Sequence, residues 1–278
     1  MTATRTIAMM RPTTGPAEAP MPTADRPRPL VLITGGARRV GAQIAAAFAA
    51  AGCDLVVTYN RSEREAEHAA ERWRSTGARV TLAPLPLDDP AETDARAEAL
   101  AAEITRSTGR LDVLVHNASA YFSTPLAETD PADGARLYAI NALAPLLITK
   151  RFAPLLARTA LATGSCVVCM CDMHAMGRPR KDFAAYSMSK AALAEMVRSL
   201  ARDLAPRTRV VGVAPGVVQW PDEGHESDED AQRAYLRRVP LERAGTAEEA
   251  AEVVRWLALE AGYITGEILR LDGGRSLA

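Results

Sequence analysis

Short runs of consecutive apolar residues recur along the chain, and longer alanine-rich stretches of helical period separate them. The runs predict strands over Leu30–Thr34, Leu55–Thr58, Val80–Ala83, Val113–His116, Cys166–Met170, Val210–Val213 and Ile268–Leu271. The first six are apolar nearly throughout, as in strands covered on both faces. Helices are predicted over Val40–Ala51, Glu63–Thr76, Ala91–Thr108, an interval within Pro131–Ala162, and Ala185–Leu204. Alternation of this kind specifies an α/β protein: a Rossmann-like, doubly wound parallel sheet of about seven strands with helices on both faces. A ligand would bind at the carboxyl ends of the strands, near the point where strand order reverses.

Neither an internal repeat nor an interdomain linker breaks the pattern, so residues 28–278 are expected to form one domain. Residues 1–27 are rich in Pro, Thr, Ala and Arg, and are expected to be a disordered tail; their prolines oppose an amphipathic helix. The tail lacks the apolar core of a secretory signal, and no apolar run approaches the ~20 residues that span a bilayer. A cytoplasmic enzyme without a membrane partner is the expectation. Lys+Arg is 33 against Asp+Glu 34, a net charge of −1, which gives no footprint for nucleic acid. The expected partner is a small-molecule substrate. Of the four cysteines, Cys169 and Cys171 would face one side of a strand and Cys166 the other, so buried thiols are expected and no metal site. The acid-rich segment Asp222–Asp230 reads as a solvated loop or helix end, or as a lid following the sixth strand.

The first strand runs into Gly35-Gly36-Ala37-Arg38-Arg39-Val40-Gly41 and then a helix. Glycines permit a tight turn and close approach to a pyrophosphate, and the helix N-terminus adds N–H donors. An ordinary strand-to-helix turn is the plainer alternative. After the second strand, Asn60-Arg61-Ser62 offers no carboxylate for a ribose 2′-hydroxyl, whereas Arg61 and Arg39 would suit a phosphate. That predicts NADPH/NADP as cofactor. Tyr186 and Lys190 stand at i and i+4 on one helix face. An ammonium there would lower the phenol pKa and make it a better acid near neutrality.

With these residues in place, the chain resembles the short-chain dehydrogenase/reductase family. The matching landmarks are Thr34-Gly35, Asp88, Asn117-Ala118, Asn141, Tyr186/Lys190, Pro215-Gly216 and the segment from Ile264 to Gly274. The resemblance implies that Gly35, Arg38, Arg39, Val40, Gly41, Asn60, Arg61, Ser62, Asp88, Asn117, Ala118, Ser119, Pro215 and Gly216 bind cofactor together with Tyr186 and Lys190. It implies that Asn141 supports a proton relay with Lys190, and that the protein is a homo-oligomer, tetramer or dimer.

One departure bears on the substrate. No serine lies between Cys166 and Tyr186, where the family places one; Asp172 stands there instead, 14 residues before Tyr186. A carboxylate repels a developing alkoxide but suits a substrate gaining positive character, such as a protonated C=N. In the plainer alternative Asp172 is a solvated turn residue, and His174 or a water does the serine's work. Together with Arg38-Arg39 and Asn117-Ala-Ser119-Ala-Tyr121-Phe122, Asp172 resembles pteridine reductases and dihydromonapterin reductases. That implies substrate contacts from Arg39, Tyr121, Asp172 and Tyr186, with Tyr121 or Phe122 stacking a pterin. The expected activity is reduction of a dihydropterin C=N bond by NADPH. The alternatives are reduction of another cyclic imine or ketone, and a non-catalytic nucleotide-binding regulator.

Overall fold

The computed structural model describes residues 27–221 and 227–278. Seven strands lie parallel in one sheet: β1 (Leu30–Ile33), β2 (Asp54–Tyr59), β3 (Val80–Pro84), β4 (Val113–His116), β5 (Ser165–Met170), β6 (Thr208–Pro215) and β7 (Ile268–Leu271). Their order is β3-β2-β1-β4-β5-β6-β7. The chain begins mid-sheet, winds outward to β3 and then returns to place β4 beside β1, where Ile33 pairs with Val115. The reversal therefore opens a crevice at the carboxyl ends of β1 and β4.

Alternate residues of each strand feed two cores. Val31, Ile33 and Val168 pack with Ile44 and Phe48 of α1 (Arg39–Ala50), Trp73 of α2 (Glu63–Arg74) and Leu257 of α8 (Ala247–Leu259). Leu32, Val167 and Cys169 pack with Leu100 of α3 (Pro90–Ser107), Phe152 of α5 (Ala144–Leu156) and Leu193 of α6 (Ala184–Asp203). The cysteines divide as expected, Cys166 in one core and Cys169 and Cys171 in the other. All four are buried free thiols, and no metal-binding cluster occurs among the described residues.

The interval within Pro131–Ala162 resolves into α4 (Pro131–Tyr138), a π-helical turn over Ala139–Leu143, and α5. This continuous stretch is long enough to cross a membrane, but half of its apolar window is buried within the protein, as in a core helix. Two helices lie outside the sequence expectation. One is α8, whose start is marked by a capping box between Thr246 and Glu249 and which packs on α1. The other, α7 (Glu229–Leu236), begins inside the acid-rich segment, where the Asp228 carboxylate accepts from the Ala231 N–H. Residues 222–226 of that segment, and the tail up to residue 26, lie outside the described residues.

Candidate active site

The glycine loop sits at the crevice in a form that only glycine permits. Gly35 has φ +62°, and a Cβ there would lie 2.9 Å from the Ala118 Cβ. A Cβ on Gly41 would stand 2.4 Å from the Gly35 carbonyl oxygen. Asn117 clamps the loop, its amide donating to the carbonyls of Thr34 (3.1 Å) and Gly35 (3.0 Å). The Thr34 hydroxyl in turn accepts from the N–H groups of Asn117 and Ala118. No side chain caps α1 and no acid occupies its first turn, so its N–H groups and dipole are available to an anion. The loop and helix thus fit the diphosphate of a dinucleotide, with Arg38, Arg39 and Val40 opening the helix.

Asn60, Arg61 and Ser62 follow β2, and Asp88 follows β3, on the same edge of the sheet. The one carboxylate next to this segment, Glu63, accepts from the Tyr59 hydroxyl at 3.0 Å. Arg39 has φ 54°. Its guanidinium reaches across the crevice and donates to the Trp220 carbonyl at 3.1 Å.

Asp172 follows β5 and caps the 3₁₀ turn over Met173–Ala175. Its Oδ1 accepts from the His174 N–H at 2.7 Å, and its Oδ2 accepts from the Tyr186 hydroxyl at 2.7 Å. The plainer alternative of a solvated turn residue does not describe this geometry. His174 instead braces the turn, its Nδ1 lying 2.8 Å from the Arg178 carbonyl. The expectation that Lys190 lowers the phenol is corrected here. Burial and the adjacent Asp172 charge push the Tyr186 phenol well above its ordinary value. The Lys190 ammonium is itself buried, donates to the Met170 carbonyl at 2.8 Å, and is held below its usual range by desolvation.

Asn141 lies in the π-turn. Its Oδ1 accepts from the Ser119 hydroxyl (2.9 Å) and the Ala120 N–H (2.8 Å), and its Nδ2 donates to the Ala120 carbonyl and to Ser189 Oγ. Its side chain therefore fixes the loop that carries Tyr121. Tyr121 stands edge-on to Tyr186, with ring centroids 4.9 Å apart, and stacks on Phe183 at 4.9 Å. Phe183 was not anticipated from sequence, although its place three residues before Tyr186 puts it on the same edge of the site. Phe122 turns elsewhere, under the Arg136 guanidinium. A cleft of about 570 Å³ is lined by Arg39, Tyr121, Asp172, Pro215 and Gly216, with Trp220 and Tyr235 opposite. The last two, in T-shaped contact at 5.4 Å, lie in the region after β6 where the sequence carries no motif.

A family model described as enoyl-(acyl carrier protein) reductase matches residues 35–276. The chain belongs to this family of short-chain dehydrogenases/reductases and is an oxidoreductase. It is 35% identical to pteridine reductase 1 of Leishmania tarentolae, covering 90% of this chain and 96% of that protein. It is 30% identical to the dihydromonapterin reductase of Enterobacter sp., covering 90% and 98%. Among solved structures, a short-chain dehydrogenase/reductase from Serratia marcescens superposes with TM-score 0.79 at 29% identity, over 89% of this chain and 98% of that one. A metagenomic blue fluorescent protein in complex with NADPH superposes with TM-score 0.79 at 28% identity, over 89% and 97%.

Proposed function

We propose that the protein is an NADPH-dependent reductase of a pteridine-type C=N bond, converting a dihydropterin to a tetrahydropterin. The observation that carries this reading is the 2.7 Å hydrogen bond from Tyr186 to Asp172 in an aromatic-walled cleft. When bound, NADPH would supply a hydride to the carbon of the C=N bond, whose nitrogen would take a proton. Gly35, Gly41 and the start of α1 would hold its diphosphate, Arg39 and Arg61 its 2′-phosphate, and Asp88, Asn117, Ser119, Pro215 and Gly216 would flank the remainder. Relatives named for pteridine and dihydromonapterin reduction support the substrate class.

The proton is held at Tyr186 Oη. Burial and the adjacent Asp172 carboxylate hold the phenol well above its ordinary range, so Tyr186 stays protonated, its hydroxyl donating to Asp172 Oδ2 at 2.7 Å. Asp172 also accepts N–H bonds from a ring edge that gains positive character, where a serine hydroxyl would serve a carbonyl. Tyr121 presents a flat face for the ring. Following NADPH absorbance with a dihydropterin and with simple ketones tests the reading. Dihydropterin turnover that Tyr186→Phe lowers by about a hundredfold or more is expected. Turnover of ketones but not dihydropterins would replace it with carbonyl reduction.

A further inference from the structure

The chemistry described so far uses one end of the cleft. At the other end, three arginines from separate parts of the chain converge. Arg178 comes from the turn after Asp172, Arg238 from just beyond α7, and Arg275 from the turn after β7, and all three line the same cleft as Asp172. Arg275 is only 5% exposed and lies 5.3 Å over the Tyr235 ring. Its buried Nε has no hydrogen-bond partner, and its guanidinium makes one long contact, 3.4 Å to an oxygen of Ala278. A buried guanidinium N–H without an acceptor is costly. No Asp or Glu side chain among the described residues lies within ion-pair distance of any of the three. Asp272 is the nearest acid by chain position, and its oxygens accept from the Gly274 and Ser276 N–H groups. Arg275 is held below its usual range first by desolvation, then by the repelling charge of Arg178 and, more weakly, of Arg238, against a smaller opposing pull from Asp272. Asp172 is the single acid among the described residues lining the cleft. Like charges gathered against a buried donor, with no side-chain carboxylate paired to any of them among the described residues, are what a protein tolerates where an anion binds.

We infer that Arg178, Arg238 and Arg275 form a subsite for an anionic group, phosphate or carboxylate, on the side chain of the substrate. Tyr235 lies between the two ends of the cleft: its ring carries Arg275, and its hydroxyl accepts from the Val217 N–H at 3.2 Å beside Gly216. A ring seated at Tyr121 and Asp172 would thus extend its substituent past Tyr235 to the guanidinium forks, whose geometry matches either oxyanion. The inference deepens the pterin reading and rests on it for the identity of the ring, while the arginine subsite stands on its own geometry.

The test is steady-state kinetics at saturating NADPH and constant ionic strength with dihydroneopterin, its side-chain phosphate ester, and dihydrofolate. At least one anionic substrate should show a KM about tenfold or more below that of neutral dihydroneopterin with kcat little changed, and the arm that gains identifies the anion. The double variant Arg178→Ala/Arg238→Ala should erase that gap and leave the KM of neutral dihydroneopterin in place. Arg275→Met should do the same, and the double variant keeps the test independent of whether that buried substitution folds. Equal KM values across the three substrates, or a variant that weakens neutral and anionic substrates alike, overturns the subsite. Should no dihydropterin turn over, the pterin reading fails separately. The subsite is then read from thermal unfolding of the NADP-saturated protein with inorganic pyrophosphate: a rise in Tm for wild type that is absent from the double variant sustains it, and identical behaviour overturns it.

Discussion

At the scale of single residues, the chemistry turns on which charge the Tyr186 phenol feels. Lys190 sits one helical turn away, as its spacing requires, but its ammonium is committed to the Met170 carbonyl. Asp172 takes the phenol hydroxyl, and its charge joins burial in raising the phenol pKa. A raised folded-state value means that the proton stays on Tyr186 beyond the usual alkaline limit. The associated stability is present below the unfolded phenol value of about 10 and is lost as pH rises through the folded value. Replacing the carboxylate in Asp172→Asn removes one upward cause and leaves burial. The alkaline limb of the kcat profile should therefore move to lower pH, and C=N reduction should fall by about tenfold or more, since the ring edge loses its anionic acceptor. A profile identical to wild type would mean that Asp172 does not act on the phenol. Spacing alone left open whether Asp172 faces Tyr186; in the structure it caps the 3₁₀ turn over Met173–Ala175 and its Oδ2 accepts from the phenol.

At the scale of elements, the strands were legible because β1, β2, β4, β5 and β6 are buried on both faces and read as apolar runs, while the edge strands β3 and β7 are only partly covered. α8 was missed although its signal is present: Thr246 and Glu249 mark its start, and Ala250, Ala251, Val254, Leu257 and Ala258 keep a helical apolar stripe. The Trp220–Tyr235 wall was not legible either, since it depends on tertiary contact between the segment after β6 and α7. One contact between elements has a measurable consequence. His116, at the end of β4, is buried with its Nε2 2.8 Å from the Thr149 hydroxyl of α5. That hydroxyl donates to the Pro145 carbonyl at 2.8 Å, so it accepts from Nε2–H and leaves the buried Nδ1 without a partner. Burial without an acceptor pulls His116 down to about 3. Between that value and the unfolded value of about 6.5, the unfolded chain takes a proton that the native protein refuses. Stability should therefore fall as pH drops below about 6.5, by up to ~1.4 kcal/mol per pH unit. Urea unfolding across this range should show a shallower slope for His116→Asn, and equal slopes would place the acid sensitivity elsewhere.

At the scale of the whole molecule, a net charge of −1 conceals a cationic cleft, whose lining includes Arg39, Arg178, Arg180, Arg238 and Arg275, with Asp172 as the single acid among the described residues that line it. The scarcity of lysine, three among 33 basic residues, sharpens what each cation does. Lys190 is a compact ammonium buried under the site, whereas forked guanidiniums line the cleft that meets ligand. Cofactor choice is a property of this edge as a whole. On the proposed reading it combines the end of β2, with Arg61, and the glycine loop after β1, with Arg39. Arg39 also holds the Trp220 carbonyl, so its removal would disturb the wall of the substrate cleft along with the cofactor. Arg61 carries no such second duty in the structure and gives the cleaner experiment. Losing one charge-assisted contact to a 2′-phosphate costs about 1.5–3 kcal/mol, so Arg61→Ala should lower the ratio of kcat/KM with NADPH to that with NADH by roughly ten- to a hundredfold. The loss should fall on the KM for NADPH and leave NADH nearly unmoved, because NADH has no phosphate to miss. If both cofactors weaken together, Arg61 shapes the adenosine pocket as a whole; if neither moves, it is an ordinary surface arginine and the selectivity rests on Arg39 and the absence of a free carboxylate after β2.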